Sequence, residues 1–349
     1  MPDTLPSIHE LALLEKFFHK NQWSHVHLRN FRRMFYHERK SLKNIDLPQE
    51  YLDKLAANFS FGELKIHTKM DSKVDGATKI LFETVDGHKI ETVILRIKSG
   101  RASVCVSSQV GCTESCSFCS TGKMGFKRNL TTAEIIDQFY QAQLLLEEEG
   151  LSIRNIVFMG MGEPLRNLDA VFPAVDFFIN HKAYRLAHRQ ITVSTSGLPD
   201  EMLQFAKRFP TISFALSLNA DTDQLRDILM PINERFPLEK LRETLIEMEK
   251  FRKTDVFVEY IVFKDLNDSI ESAERVYEFL KDLKVHVNLI PYNNSDGKGE
   301  YQTADKERVR AFRKYLVDRD QCCTIRYSLG QDIAAACGQL ANKTDVKSS

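Results

Sequence analysis

The apolar positions change their period near residue 100. Before it, residues 11–18 and 27–36 repeat with helical spacing. Two strand-like runs, 80–84 and 89–98, then flank Asp86-Gly87, a dipeptide suited to a tight hairpin turn. Beyond residue 100, short β-branched runs alternate with long amphipathic ones. The runs predict strands over 103–107, 155–159, 190–195, 212–218, 256–262, 285–290 and 323–327. Helices are predicted between them, over 132–149, 168–180, 200–208, 222–229, 238–252, 269–283 and 304–318.

Strands that alternate with helices imply parallel strands with helical crossovers. So many units favour a full or partial βα barrel over a doubly wound sheet. The expected fold class is therefore α/β: a partial (βα) barrel over 91–341, a small mainly helical accessory domain over 1–90, and a flexible tail over 342–349.

Composition narrows the function. Lys plus Arg equals Asp plus Glu at 48 each, so the chain is not a globally basic nucleic-acid binder, although a local basic patch is allowed. No apolar run approaches the ~18 residues of a membrane span, and the first ten residues lack the pattern of a signal peptide. A cytoplasmic, monomeric protein with no membrane contact is expected.

Seven cysteines are present, and Cys105, Cys112, Cys116 and Cys119 crowd together. An odd, clustered set reads as metal or redox chemistry rather than a secreted disulfide framework. Cys112, Cys116 and Cys119 are spaced C-x3-C-x2-C, on a loop after a predicted strand. Thiolates are the usual ligands of iron–sulfur clusters, and three ligands leave one iron of a 4Fe–4S cluster open. Zinc sites instead favour two pairs of ligands, and the second pair is missing here. The triplet, with Phe118 before its third cysteine, resembles the radical-SAM signature, in which S-adenosylmethionine (SAM) chelates the open iron.

One strand later comes Gly160-Met161-Gly162-Glu163-Pro164. Its glycines allow close approach of backbone to a ligand, and Glu163 is placed to accept from the SAM amino group. Ser194-Thr195-Ser196-Gly197, Ser217-Leu218-Asn219 and Asn293 follow later strands. Taken singly, each reads as a helix cap or a turn. Their shared position at strand ends points to a barrel site.

Together these residues resemble the RlmN/Cfr family of radical-SAM RNA methyltransferases over about residues 78–341. The strongest segments are 105–112, 158–164, 194–197, Arg226 to Asn233 (RDILMPIN), 288–293 and Asp332 to Leu340 (DIAAACGQL). The resemblance implies a 4Fe–4S cluster and SAM as cofactors. It assigns Cys337 as methyl carrier, Cys105 as its partner thiol and Glu91 as proton acceptor. It places SAM contacts on Gly162, Glu163, Ser194, Ser217, Leu218, Asn219 and Asn293. The family usually has histidine at the position of Asn219, which puts a side-chain contact there in doubt.

The implied target is an adenosine of 23S rRNA, or of tRNA, at C2 or C8. Such a ring carbon is no nucleophile, so a radical route is needed. In the family scheme Cys337 is methylated by one SAM, a second SAM supplies a 5′-deoxyadenosyl radical, and an RNA adduct resolves as a Cys105–Cys337 disulfide. A reductant such as flavodoxin resets the system. The interval from Glu91 to Cys105, with Lys98-Ser99-Gly100 inside it, is more like Cfr-type members. Cys322 and Cys323 match no catalytic position and read as packing residues.

Three basic groups are candidate RNA contacts. The first is Lys20, Arg29, Arg32, Arg33, Arg39, Lys40 and Lys43, interleaved with Trp23, Phe31, Phe35 and Tyr36. The others are Lys123, Lys127 and Arg128, then Lys182, Arg185 and Arg189. A solvated helix face with core aromatics is the competing account of the first. Two other functions stay open: a radical-SAM enzyme with a non-RNA substrate, and a non-catalytic RNA-binding protein with a structural cluster.

Overall fold

The computed structural model describes residues 5–97, 100–293 and 300–340. Lys98, Ser99 and the tail 342–349 lie outside the described residues. The frame is a ten-stranded sheet of order β1-β2-β3-β4-β7-β8-β9-β10-β11-β12. Its first four strands are Leu64–Asp71 (β1), Ala77–Thr84 (β2), Lys89–Ile97 (β3) and Arg101–Cys105 (β4), paired antiparallel. From β4 onward the pairing is parallel, through Ile153–Phe158 (β7), Ile191–Thr195 (β8), Ser213–Ser217 (β9), Val256–Val262 (β10), Val285–Pro291 (β11) and Cys323–Ile325 (β12). Each parallel strand lies beside the next in the chain, and β1 and β12 remain edges. The result is the expected α/β partial barrel.

Crossover helices cover the outside. They are Thr132–Glu148 (α5), Leu168–Ile179 (α6), Pro199–Arg208 (α7), Asp223–Leu229 (α8), Leu238–Glu249 (α9), Ile270–Leu280 (α10) and Lys306–Val317 (α11). Thr131 and Glu134 form a capping box that starts α5. The predicted strands and crossover helices all appear, with ends displaced by a few residues. Beyond the helix Gln49–Asn58, two features of the sheet region were not anticipated. One is β1, an edge strand whose mostly exposed side chains carry little apolar signal. The other is the two-stranded ribbon Gln109–Gly111 (β5) and Phe126–Asn129 (β6), on either side of the cysteine loop and its single-turn helix Ser120–Lys123 (α4).

Residue 90, where a domain boundary was expected, lies within β3, so the sheet runs unbroken across it. The helices Leu11–Lys20 (α1), His25–Arg32 (α2) and Gln49–Asn58 (α3) share one hydrophobic cluster with the barrel. Trp23, Phe31, Phe35 and Tyr36 are buried in it, so the core account of these aromatics holds and none is free to stack on a base. The chain offered only Glu38 against the basic stretch, but folding also brings Glu15 to Arg32 and Lys182. Arg33 and Lys40 pair with Glu38, and Arg39 lies over the Phe139 ring at 5.5 Å. Among the described residues no helix is long and apolar enough to cross a membrane.

His9 is the pin of this layer. Phe35, Tyr36, Tyr140, Phe177 and Tyr184 surround it at 5.5–6.3 Å between ring centroids. Among the described residues no group hydrogen-bonds either ring nitrogen, and burial pushes its pKa down to about 3. The imidazole is therefore neutral in the fold and binds a proton more readily once unfolded. Its contribution is complete above the ordinary value of 6.5 and is lost as pH falls from there toward 3. At pH 5 the loss should be about 2 kcal/mol. Thermal melts at pH 7.5 and pH 5 should show it, and His9→Phe should remove about that much of the difference.

Candidate active site

The C-terminal ends of the parallel strands surround one cleft with about 890 Å³ of open space. Cys112, Cys116 and Cys119 form one wall, and Gly160, Gly162, Glu163 and Pro164 form another. Ser194, Ser217, Asn219, Glu259, Arg326 and Cys337 complete it. A second cavity of about 1070 Å³ adjoins it and is lined by Val93, Leu95, Cys105 and Tyr327. Arg326 and Cys337 belong to both.

Local chemistry explains why these loops sit where they do. Gly111 has φ 79°, and a Cβ there would lie 1.8 Å from the Gly125 carbonyl oxygen, so only glycine lets β5 and β6 close around the cysteine loop. Gly162 has φ 97°, and a Cβ there would lie 2.5 Å from Gln109 Cβ. Gln109 Oε1 accepts from the Glu163 N–H at 3.0 Å. Ser107 Oγ accepts from the Met161 N–H at 2.9 Å. The segment entering the cysteine loop is thus laced to the glycine-rich turn.

Among the described residues, no three His, Cys, Asp or Glu side chains converge on one metal-ion position. Three thiols spread around a cleft suit a multi-iron cluster, in which each thiolate binds a different iron, better than a single zinc. Burial pushes the Cys112 thiol up to about 12 and the Cys116 thiol well above its usual range. Binding iron would therefore displace their protons. The donor set fits the cluster the spacing implies.

Glu163 is buried, and burial pushes its carboxyl up to about 7. Its Oε2 accepts from the Ser196 N–H at 2.7 Å and Oε1 from the Leu165 N–H at 3.0 Å. It fastens the end of β7 to the end of β8 while still lining the cleft. Asn219 has φ 57°, a left-handed conformation that asparagine tolerates. Its Oδ1 accepts from the Ile261 N–H at 3.0 Å, and its Nδ2 lies 3.4 Å from the Met230 sulfur. Both ends of the amide are engaged inside the protein.

Gly162, Glu163, Ser194, Ser217, Asn219 and Cys337 thus come together as the chain suggested. Leu218 and Asn293 do not line the cleft. Leu218 is a core residue whose N–H donates to the Glu259 carbonyl at 2.9 Å. Asn293 donates to Ser328 and accepts from Gln331, both at 2.9 Å. Glu91 lines neither cavity. It is fully buried beside Lys79 at 3.1 Å, on the face of β3 that carries Val93 and Leu95. Cys105 and Cys337 are free thiols, and burial pushes Cys105 up to about 12. Cys337 is exposed, but only within a recess walled by protein, and desolvation there raises its pKa as well. Cys323 is buried as expected, but Cys322 is exposed. Sequence reasoning missed Arg326 and Glu259, whose ion pair at 3.1 Å lies on the Cys337 side, with Arg326 also lining the cavity of Cys105. Neither belongs to a motif, and only their positions on β10 and after β12 mark them.

Comparison with known proteins agrees with this geometry. Residues 106–280 match the radical SAM superfamily. A dual-specificity RNA methyltransferase RlmN of Pelobacter propionicus is 44% identical over 272 residues, 78% of this chain and 76% of its own. A probable RNA methyltransferase of Rhodopirellula baltica is 42% identical over 301 residues, 86% of this chain and 79% of its own. The crystal structure of a radical SAM methyltransferase from Sphaerobacter thermophilus superposes with a TM-score of 0.87 at 35% identity, covering 96% of this chain and 99% of that one.

The fold and the cleft therefore define a radical SAM enzyme, which uses a 4Fe–4S cluster and SAM. Within that superfamily the chain belongs to the RlmN-type methyltransferase family.

Gly162→Ala tests the close approach at the turn. The left-handed backbone and the Gln109 contact should cost about 1–3 kcal/mol. Calorimetry should show SAM affinity falling by on the order of tenfold or more, with a lower melting temperature.

Proposed function

We propose that this protein methylates a ring carbon, C2 or C8, of an adenosine in 23S rRNA or tRNA, by way of S-methylated Cys337. The observation that carries this reading is the position of Cys337 on the boundary between two cavities. One holds the three cluster cysteines and the Gly162-Glu163 turn, and the other holds Cys105. A cysteine so placed can take a methyl group on one side and deliver it on the other. The names of the relatives, RNA methyltransferases, support the substrate class.

When bound, the cluster and SAM supply both an electrophilic methyl group and, after one-electron reduction, a carbon radical. The residues do the rest. Cys112, Cys116 and Cys119 hold the cluster, and Gly162 lets backbone approach SAM. The Cys337 thiolate takes the methyl and carries it at the mouth of the second cavity. Once the carried carbon is joined to the base and the adduct has given up its ring proton and, to the oxidised cluster, one electron, the Cys105 thiolate attacks the Cys337 sulfur. The carbon–sulfur bond breaks, the released carbon takes a proton to become the product methyl, and a disulfide forms. Glu91, matched to the family's proton acceptor, sits one step below the cavity wall in its ion pair with Lys79. A reductant of the flavodoxin class restores the thiols and the cluster. Base entry requires an extruded nucleotide. The exposed cations Lys20, Arg29, Lys43, Lys123, Lys127, Arg185 and Arg189 offer phosphate contacts.

The direct test is mass spectrometry of nucleosides from 23S rRNA and tRNA after incubation with anaerobically reconstituted protein, SAM and reductant. Either 2-methyladenosine or 8-methyladenosine is expected. Cleavage of SAM to 5′-deoxyadenosine without either product would mean a different substrate. Cys337→Ala should give no methylated nucleoside. Cys105→Ala should stall as a protein–RNA adduct visible on denaturing gels. Because the Cys105 thiol is pushed up to about 12, its alkylation by iodoacetamide should rise about tenfold per pH unit between pH 8 and pH 10.

A further inference from the structure

Arg226 has no part in the scheme above, yet it is the largest fully buried side chain among the described residues. Its partners are all neutral. Nε donates to the Leu218 carbonyl at 3.1 Å, and Nη1 to Asn233 Oδ1 at 3.1 Å. Nη2 donates to the Ser196 carbonyl at 2.6 Å and the Ser217 carbonyl at 3.3 Å. The nearby carboxylates of Asp223 and Asp227 are engaged by Asn233 Nδ2 instead, at 3.0 and 2.7 Å. Burial lowers the Arg226 pKa to about 10, so the guanidinium stays charged at neutral pH. Asp223 and Asp227 act on the guanidinium only from beyond ion-pair contact, and a buried cation with no anion in direct contact is strongly disfavoured. Something negative is missing from this inventory.

The surroundings indicate what it is. Ser196 and Ser217, whose carbonyls Arg226 binds, line the cofactor cleft. At the end of the same helix, α8, the Leu229 carbonyl accepts from the Ser117 N–H at 3.0 Å, inside the cysteine loop. Cys116 and Phe118 pack against the hydrophobic cluster that contains Leu229 and Met230. A 4Fe–4S cluster held by three thiolates is net negative when oxidised and gains one more negative charge on reduction.

We propose that Arg226 is the buried counter-charge of the cluster and a positioning residue that ties the ends of β8 and β9 to the helix supporting the cysteine loop. This rests on the cluster reading of Cys112, Cys116 and Cys119. The positive charge makes the cluster easier to reduce, since net charge near a cluster sets its potential. The four hydrogen bonds keep the SAM-facing carbonyl ends in register with that loop.

The test uses the full chain, reconstituted with iron and sulfide, as wild type, Arg226→Lys, Arg226→Met and Arg226→Gln. Iron content and melting temperature establish loading and folding. Midpoint potential comes from an EPR-monitored titration, and SAM affinity from calorimetry on the oxidised protein. Arg226→Met should shift the potential to more negative values, while Arg226→Lys should stay close to wild type. Arg226→Lys, which keeps the charge but not the multiple carbonyl contacts, should bind SAM more weakly by on the order of tenfold. If Arg226→Met does not fold, Arg226→Gln, neutral but still a donor, should show the same shift. An unchanged potential in the neutral variants overturns the counter-charge, as does an equal shift in Arg226→Lys. Unchanged SAM affinity in Arg226→Lys overturns the tie. Wild-type protein that takes up no iron overturns the cluster reading itself, and the proposal falls with it.

Discussion

The functional geometry depends on the hydrogen bonds that fasten the irregular segment 330–340 to the rest of the molecule. Apart from the short turn Gln331–Ile333, this segment has no regular structure to satisfy its own backbone. Other elements do so. The Gly330 N–H donates to Asp75, and Asp332 accepts from Ser72 and the Lys73 N–H. Lys79 reaches the Ala334 carbonyl at 3.3 Å. The Ser120 N–H donates to the Gly338 carbonyl at 2.7 Å, and Thr121 Oγ1 to the Leu340 carbonyl at 2.7 Å. The loop that carries Cys337 is therefore held by the β1–β2 turn on one side and by the cysteine loop on the other. Its position between the two cavities follows from those ties.

That arrangement gives the antiparallel strands a role. β1, β2 and β3 are not merely an appendage to the parallel sheet. They provide Ser72, Asp75 and Lys79, which hold the Cys337 segment, and Val93 and Leu95, which wall the second cavity. Lys79 also links Glu91 to that segment, through the ion pair on one side and the Ala334 carbonyl on the other. The helical N-terminal layer stands behind this frame, packed on α5 and α6 through the rings around His9.

A recurring device in the cleft is a polar side chain that binds two strand ends at once. Glu163 joins the ends of β7 and β8, and Arg226 joins β8, β9 and α8. Glu259 on β10 receives Asn288 of β11 and Arg326 beyond β12. In a partial barrel no closing strand pair sets the spacing of the rim. Buried charged and polar groups with several fixed partners take over that task.

The sequence by itself determined the alternation of strands and helices, because apolar period and β-branched runs are local properties. It also determined the thiol triplet and the glycine-rich turn, since ligand spacing and backbone freedom are written in consecutive residues. The RlmN/Cfr resemblance singled out Cys105 and Cys337 as a pair, which no local pattern could do. Only the tertiary structure decided which residues meet. It brought Cys337 beside the cluster cysteines in one cavity and beside Cys105 in the next, but kept Leu218 in the core and Asn293 among the ties of the last segment. It turned the N-terminal aromatics inward, and it paired Arg32 with Glu15, a partner the sequence left out of the count. It also showed that Arg226, one charged residue in a recognisable segment, is buried with only neutral hydrogen-bond partners among the described residues, Asp223 and Asp227 acting on it without direct contact. Such outcomes depend on contacts between distant parts of the chain. Burial and charge pairing are properties of the folded volume, and periodicity carries no information about them.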